Sequence, residues 1–178
     1  MAGKSKFSKD LRKKVAGIRG IFCESDGILT NGKVIYDPSG KGSKQFHFRD
    51  SAIIPYLRMA GVVTGVVSGR ESDTVSRWCA DLKMEFCHQG ILDKVSTVKK
   101  LAEHYKLKLK EVAFIGDDLS DRGVFRIVGL SVCPADALAY VKQSADLVTF
   151  AKGGSGVLRE LADLVLTARG DLQRILRS

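Results

Sequence analysis

The sequence predicts an α/β fold, a Rossmann-like three-layer sandwich with a mainly parallel sheet and a projecting β-hairpin. Three observations carry this reading. Short apolar runs of strand length recur along the chain, rich in Val, Ile and Phe and bounded by Gly, Asp or Ser. Stretches with the 3.6-residue apolar period separate them. One segment, 33–48, breaks the alternation with two runs of period two. Repeated strand–helix alternation buries a parallel sheet under helices on both faces. Ligands of such folds bind beyond the carboxyl ends of the strands, at the switch in strand order.

In chain order, residues 1–16 read as a basic N-terminal arm and 17–178 as one domain. Across residues 1–20, Lys4, Lys6, Lys9, Arg12, Lys13, Lys14 and Arg19 face only Asp10, which predicts a solvated, partly disordered tail. The first strand is 20–24. In the hairpin, Lys33–Asp37 and Lys44–Phe48 alternate around a turn, Pro38-Ser39-Gly40-Lys41-Gly42. Its Tyr, Phe and Ile side chains on one face call for a partner surface, most simply a second subunit. Helix 51–60 carries Ile53, Ile54, Leu57 and Ala60, and strand 62–67 reads VVTGVV. Helix 71–82 opens with acidic residues, which suit its dipole. After the short run Met84–Cys87, helix 93–106 lines up Val95, Val98, Leu101, Ala102 and Tyr105. Strands 112–116, 130–132 and 147–150 then alternate with helices 119–128, 136–143 and 155–168.

A chain of 178 residues, 44% hydrophobic, has room for a sizeable core. No apolar run approaches the roughly 20 residues of a membrane span. The N-terminus lacks the apolar segment and cleavage site of a secretory signal, so the expected compartment is the cytoplasm. Four cysteines, Cys23, Cys79, Cys87 and Cys133, form no CxxC pair and read as reduced thiols. The net charge of +9 suits an anionic substrate. No basic stripe with interleaved aromatics accompanies it, which argues against nucleic acid.

Candidate chemistry sits at strand ends. Glu24 and Asp26 follow the first strand, Ser68-Gly69-Arg70 the second, Lys94 opens a helix, and Gly116-Asp117-Asp118-Leu119-Ser120-Asp121 follows VAFI. Phosphoryl transfer asks for such parts. A carboxylate nucleophile divides the reaction through a phosphorylated carboxylate. Mg²⁺ held by hard oxygens, here Glu24, Asp117 and a backbone carbonyl, neutralises developing charge. The Ser68 hydroxyl, backbone N–H groups and Lys94 suit phosphate oxygens. Asp26 suits protonation of the leaving oxygen and activation of water. Each part alone has a plainer reading: a solvated turn for Glu24 and Asp26, helix caps for Asp117, Asp118 and Ser68. Their recurrence at successive strand ends favours a site.

In SDGILTNG, VVSGR, Lys94, VAFIGDDLSD, VGLSVCPADA and GGSGVLRE, taken in this order with the hairpin, the chain resembles the haloacid dehalogenase superfamily. The resemblance is to its capless 3-deoxy-D-manno-octulosonate 8-phosphate phosphatases and covers about residues 17–170. It implies a Mg²⁺-dependent phosphatase of a sugar-acid phosphate in lipopolysaccharide biosynthesis. Asp26 would be the general acid/base and lend its carbonyl to Mg²⁺; Ser68, with Gly69, would bind phosphate; Lys94 would pair with phosphate and nucleophile. Asp117 would bind the metal, Asp118 and Asp121 would support it, and Arg70 would face the sugar acid. The resemblance also implies a homotetramer through the 33–48 hairpin, with neighbouring subunits closing each site.

The chain departs from that pattern at the nucleophile, where aspartate is expected and Glu24 stands. One extra methylene moves a carboxylate by about 1 Å, a misplacement that can cost on the order of 10²-fold in rate. Cys23 and Ser25 flank it where apolar residues are usual, and Asn31 stands where Asp is frequent. Arg49-Asp50-Ser51-Ala52-Ile53 lacks expected glycines, and Ser155 replaces an arginine. Two function classes follow. The favoured one is a phosphatase with Glu24 as nucleophile or metal ligand. The alternative is a catalytically inactive tetrameric scaffold or phosphate-ligand binder, as in the related C-terminal domain of animal CMP-sialate synthetases, which has lost its nucleophile. Ser68, Lys94 and Asp117 set this chain apart from that domain.

Overall fold

The computed structural model describes residues 8–40 and 42–177. Its elements run α1 (Lys9–Ala16), β1 (Gly20–Cys23), β2 (Ile35–Tyr36), β3 (Gly42–Ser43), α2 (Phe48–Met59), β4 (Val63–Val67), α3 (Asp73–Asp81) and β5 (Phe86–His88). There follow α4 (Lys94–His104), β6 (Val112–Ile115), α5 (Arg122–Phe125), β7 (Leu130–Cys133), α6 (Ala139–Lys142), β8 (Leu147–Val148), α7 (Val157–Ala168) and α8 (Asp171–Ile175).

Six strands form one parallel sheet in the order β5-β4-β1-β6-β7-β8. β1 and β6 are buried along their whole length, as continuous apolar strands must be when both faces are covered. Side chains alternate between two cores. Ile21, Cys23, Ala113 and Ile115 face α1, α2, α3 and α7, through residues such as Val15, Ile54, Val75 and Leu161. Phe22, Val112 and Phe114 face α4, α5 and α6, through Val98, Val124 and Val141. The predicted three-layer sandwich is thus the observed one.

Chain order reverses beside β1. β4 and β5 lie to one side, β6, β7 and β8 to the other. Cys23 pairs with both Val66 and Ile115, so the carboxyl ends of β1, β4 and β6 finish level. That register is what brings Glu24, Ser68 and Asp117 to one edge.

The hairpin differs from its expected register. Its strands are only Ile35–Tyr36 and Gly42–Ser43, paired Ile35 with Ser43 and Tyr36 with Gly42. The run 44–48 is not a strand, because its side chains have other tasks. Lys44 turns inward to Asp26, Phe46 stacks on Trp78 at 4.8 Å, and His47 caps α2. Residue 41 of the expected turn lies outside the described residues.

The expected arm also changes character. Residues 1–7 lie outside the described residues, but α1 is helical from Lys9. Val15 is buried, Leu11 packs on the same core, and Lys14 Nζ meets Asp146 Oδ1 at 2.6 Å. The Leu11–Val15 spacing of one helical turn is the physical reason. The expected helix 119–128 divides into a 3₁₀ turn (Leu119–Asp121) and α5, and 136–143 shortens to α6. Among the described residues, no helix is long and apolar enough to cross a membrane. All four cysteines are free thiols, Cys87 half-buried and the others buried.

Candidate active site

The level strand ends open onto a cleft of about 510 Å³. Glu24, Asp26, Gly69, Arg70, Lys94 and Asp117 line it, with Asp118 and Asp121. Of the residues expected to form the site, only Ser68 is set back from this lining.

Glu24 sits one residue past β1, its amide still bonded to the Ile115 carbonyl. Glu24 is 8% exposed, and its carboxylate has donors on both oxygens. Oε2 accepts from Lys94 Nζ at 2.5 Å and from the Gly69 N–H at 3.3 Å. Oε1 accepts from the Ser25 N–H at 2.8 Å and the Ser25 hydroxyl at 3.3 Å. The longer side chain thus curls back over its own successor.

Lys94 is the first residue of α4, which Asp93 caps by accepting from the Ser96 N–H. It is 5% exposed. Besides Glu24, its ammonium reaches Asp121 Oδ1 at 2.6 Å and Ser120 Oγ at 3.2 Å, so all three donors are used. Burial alone would lower its pKa. The Asp121 and Glu24 carboxylates outweigh burial and hold it above the usual lysine value.

Asp121 is fully buried and ties the Asp117 loop together. Its Oδ2 accepts from the N–H groups of Asp117 and Asp118 at 3.0 and 3.2 Å. Asp118 does act as a cap, accepting from the Leu119 N–H at 2.7 Å, and lines the cleft as well. Ser68 is not the cap of α3, a position Ser72 holds. Ser68 is fully buried, its hydroxyl 3.0 Å from that of Ser25.

Asp26 is held from the base of the hairpin. Lys44 Nζ lies 2.7 Å from its Oδ1 and Arg70 Nε 3.9 Å from its Oδ2. The Lys44 side chain is only 3% exposed, and Oδ2 is buried without a hydrogen bond. Sequence reasoning missed Lys44, because a lysine beside a short hairpin reads as an ordinary edge charge. It also missed Ser120 and the inward role of Ser25. Nothing in their spacing separates them from loop serines.

The carboxylates fit a hard divalent cation. Asp117 lies against the loop that carries Asp26: a Cβ on Gly27 would meet its Oδ2 at 1.8 Å. Burial, then the charges of Asp121, Glu24 and Asp118, push the Asp117 carboxyl up to about 7. That excess of negative charge is what a bound cation relieves. Among the described residues no three His, Cys, Asp or Glu side chains cluster with ligating geometry. A Mg²⁺ site does not need three, since this ion keeps several waters and takes one or two carboxylates plus substrate oxygens.

The haloacid dehalogenase-like hydrolase family model matches residues 83–161. Over 160 residues the chain is 36% identical to 3-deoxy-D-manno-octulosonate 8-phosphate phosphatase KdsC of Haemophilus influenzae, covering 90% of this chain and 89% of that protein. The chain belongs to the 3-deoxy-D-manno-octulosonate 8-phosphate phosphatase family. Solved structures of this family agree with the fold. The Yersinia pestis phosphatase is 32% identical, with a TM-score of 0.91 over 94% of this chain and 90% of that one. The Moraxella catarrhalis phosphatase, in complex with magnesium, phosphate and KDO, is 27% identical, with a TM-score of 0.92 over 96% of this chain and 98% of that one. Against this family background, Glu24 and its curled side chain are the feature that a functional account must explain.

Proposed function

We propose that the protein is a Mg²⁺-dependent phosphatase of a sugar-acid phosphate of the 3-deoxy-D-manno-octulosonate 8-phosphate type, with Glu24 as nucleophile. The observation that carries this reading is the buried Glu24–Lys94 pair at the end of β1, in one cleft with Asp26 and Asp117. The names of the relatives and the magnesium, phosphate and KDO of the Moraxella neighbour support the substrate and the metal.

Glu24, Asp117 and the Asp26 backbone carbonyl would hold Mg²⁺, which supplies neutralisation of phosphoryl charge. A Glu24 oxygen attacks phosphorus, and the bond from phosphorus to the sugar oxygen breaks. Asp26 gives that oxygen its proton. Water then attacks phosphorus of the glutamyl phosphate, Asp26 takes the water proton, and Glu24 and inorganic phosphate are restored. Lys94 orients Glu24 and steadies the phosphate oxygens, joined by the Gly69 N–H and the Ser68 loop. Asp121 and Asp118 fix the Asp117 loop. Arg70, half-exposed beside Asp26, faces the sugar acid. Copies associate as a homotetramer through the 33–48 hairpin, whose Ile35 and Tyr36 are each 63% exposed. The polar, charged cleft suits a small anion in the cytoplasm.

One observation favours a second reading, a phosphate-ligand binder or scaffold without turnover. Both Glu24 oxygens already have two donors each, which leaves a weak nucleophile unless substrate displaces one. Phosphate release from a panel of phosphorylated sugar acids, with Mg²⁺ and with a chelator, separates the two. Mg²⁺-dependent release supports the phosphatase. No release from any of them supports the binder.

A further inference from the structure

The proposed reaction requires the Glu24 carboxylate to present one oxygen to the cleft, although its side chain is one methylene longer than an aspartate. The hydrogen bonds around it identify what does this. Ser25 is fully buried. Its hydroxyl lies 3.3 Å from Glu24 Oε1 and 3.0 Å from Ser68 Oγ, and the Arg70 N–H lies 3.4 Å from the same Ser68 oxygen. An ionised carboxylate only accepts, and a hydroxyl carries one proton. The Ser25 proton therefore points to Glu24, the Ser68 proton points to Ser25, and Ser68 accepts from the Arg70 amide. The chain of donors has one direction, and it ends on Oε1. The Ser25 N–H adds a second donor to that oxygen at 2.8 Å.

We infer that Ser25, backed by Ser68, is a positioning residue that clamps Glu24 Oε1 and so turns Oε2 toward Lys94, the Gly69 N–H and the cleft. The inference rests on the phosphatase reading for its consequence, but not for its geometry. An apolar residue at position 25 would leave the Ser68 hydroxyl without its acceptor and hold Oε1 by the backbone N–H alone, without the hydroxyl that fixes it from the second side. The clamp also engages the Ser68 proton in the resting site, which leaves backbone N–H groups and Lys94 as the donors nearest the cleft. A shorter carboxylate at position 24 would fall short of the Ser25 hydroxyl, so the two positions are coupled.

The test is a double-substitution cycle with two readouts, on the full chain. Ser25→Ala and Glu24→Asp are made singly and together for turnover with 3-deoxy-D-manno-octulosonate 8-phosphate and Mg²⁺. Ser25→Ala and Glu24→Gln are made likewise for thermal unfolding. Loss of a hydrogen bond to a charged group predicts that Ser25→Ala lowers kcat about tenfold or more, with much less change in KM. That loss shrinks when position 24 is aspartate. The Tm shifts of Ser25→Ala and Glu24→Gln combine non-additively, by roughly 3 °C or more. Turnover in the parent with equal Ser25→Ala effects in both backgrounds and additive Tm shifts would overturn the clamp and leave the phosphatase reading standing. Absence of turnover in the parent and in Glu24→Asp would instead sink the phosphatase reading. The Tm cycle then decides the clamp alone, non-additive shifts supporting it and additive shifts overturning it.

Discussion

At the scale of single residues, the site is organised by three buried charges, Glu24, Lys94 and Asp121. Lys94 serves both carboxylates, so its removal leaves two buried anions without a cation. Lys94→Ala is expected to lower stability by about 3–5 kcal/mol, read by urea denaturation, and to abolish turnover. Gly27 is the second sensitive point. It has φ +76°, and a Cβ there would collide with Asp117. Gly27→Ala should reduce phosphate release by on the order of 10²-fold or more. Gly40, at φ +82° with nothing within 4 Å of an added Cβ, is the control. Gly40→Ala should cost only about 1 kcal/mol and retain turnover. Glu24, Asp26, Gly69, Arg70, Lys94, Asp117, Asp118 and Asp121 were legible as one cluster, because strand-end positions in a parallel sheet converge. Lys44 and the Ser25–Ser68 pair were not. Their importance depends on which way a side chain turns out of a loop, and that has no period to read.

At the scale of elements, five of the six parallel strands were legible because short apolar runs bounded by Gly, Asp or Ser leave few alternatives, whereas β5 was marked only by the short run Met84–Cys87. α7 was equally plain from its apolar face, whereas α1 was hidden by its lysines: the Leu11, Val15 stripe is only two residues wide. The hairpin failed in register for a related reason. Period two in Lys44–Phe48 marks no ladder: Lys44, Phe46 and His47 serve Asp26, Trp78 and the start of α2, and Phe48 is exposed. The same elements carry a pH-dependent clasp. Asp50, in the first turn of α2, accepts from the Arg159 N–H in the first turn of α7 at 2.7 Å. Burial raises its carboxyl to about 6, against the lowering effects of that hydrogen bond and of His47 and Arg159. The folded state then binds this proton more tightly than the unfolded chain. Its stabilising effect is complete below the unfolded value of 3.8 and is lost as pH rises through about 6. Asp50→Asn should flatten this part of the stability profile, a change of roughly 3 kcal/mol between those limits by chemical denaturation.

At the scale of the whole molecule, the proposed account joins a cleft to an assembly. The hairpin that presents Ile35 and Tyr36 to solvent also sends Lys44 to Asp26, so the proposed association and the proposed general acid/base share one segment. Substituting Ile35 and Tyr36 together by serine should lower the mass measured by light scattering from that of a tetramer. The same variant also removes the Tyr36 hydroxyl to which Arg70 Nη2 of the same chain donates at 3.4 Å, so its turnover should be compared with that of Ile35→Ser alone, which keeps this contact. Loss of turnover in both is expected if neighbouring copies close the cleft. The central claim remains that a glutamate does the work expected of an aspartate. Phosphate release from 3-deoxy-D-manno-octulosonate 8-phosphate with Mg²⁺, compared among the natural chain, Glu24→Asp and Glu24→Gln, tests it most directly. The account predicts turnover by the natural chain and by Glu24→Asp, and a loss of about 10³-fold or more in Glu24→Gln, where the nucleophile is gone. Turnover in Glu24→Asp alone, or equal turnover in the natural chain and Glu24→Gln, would contradict it.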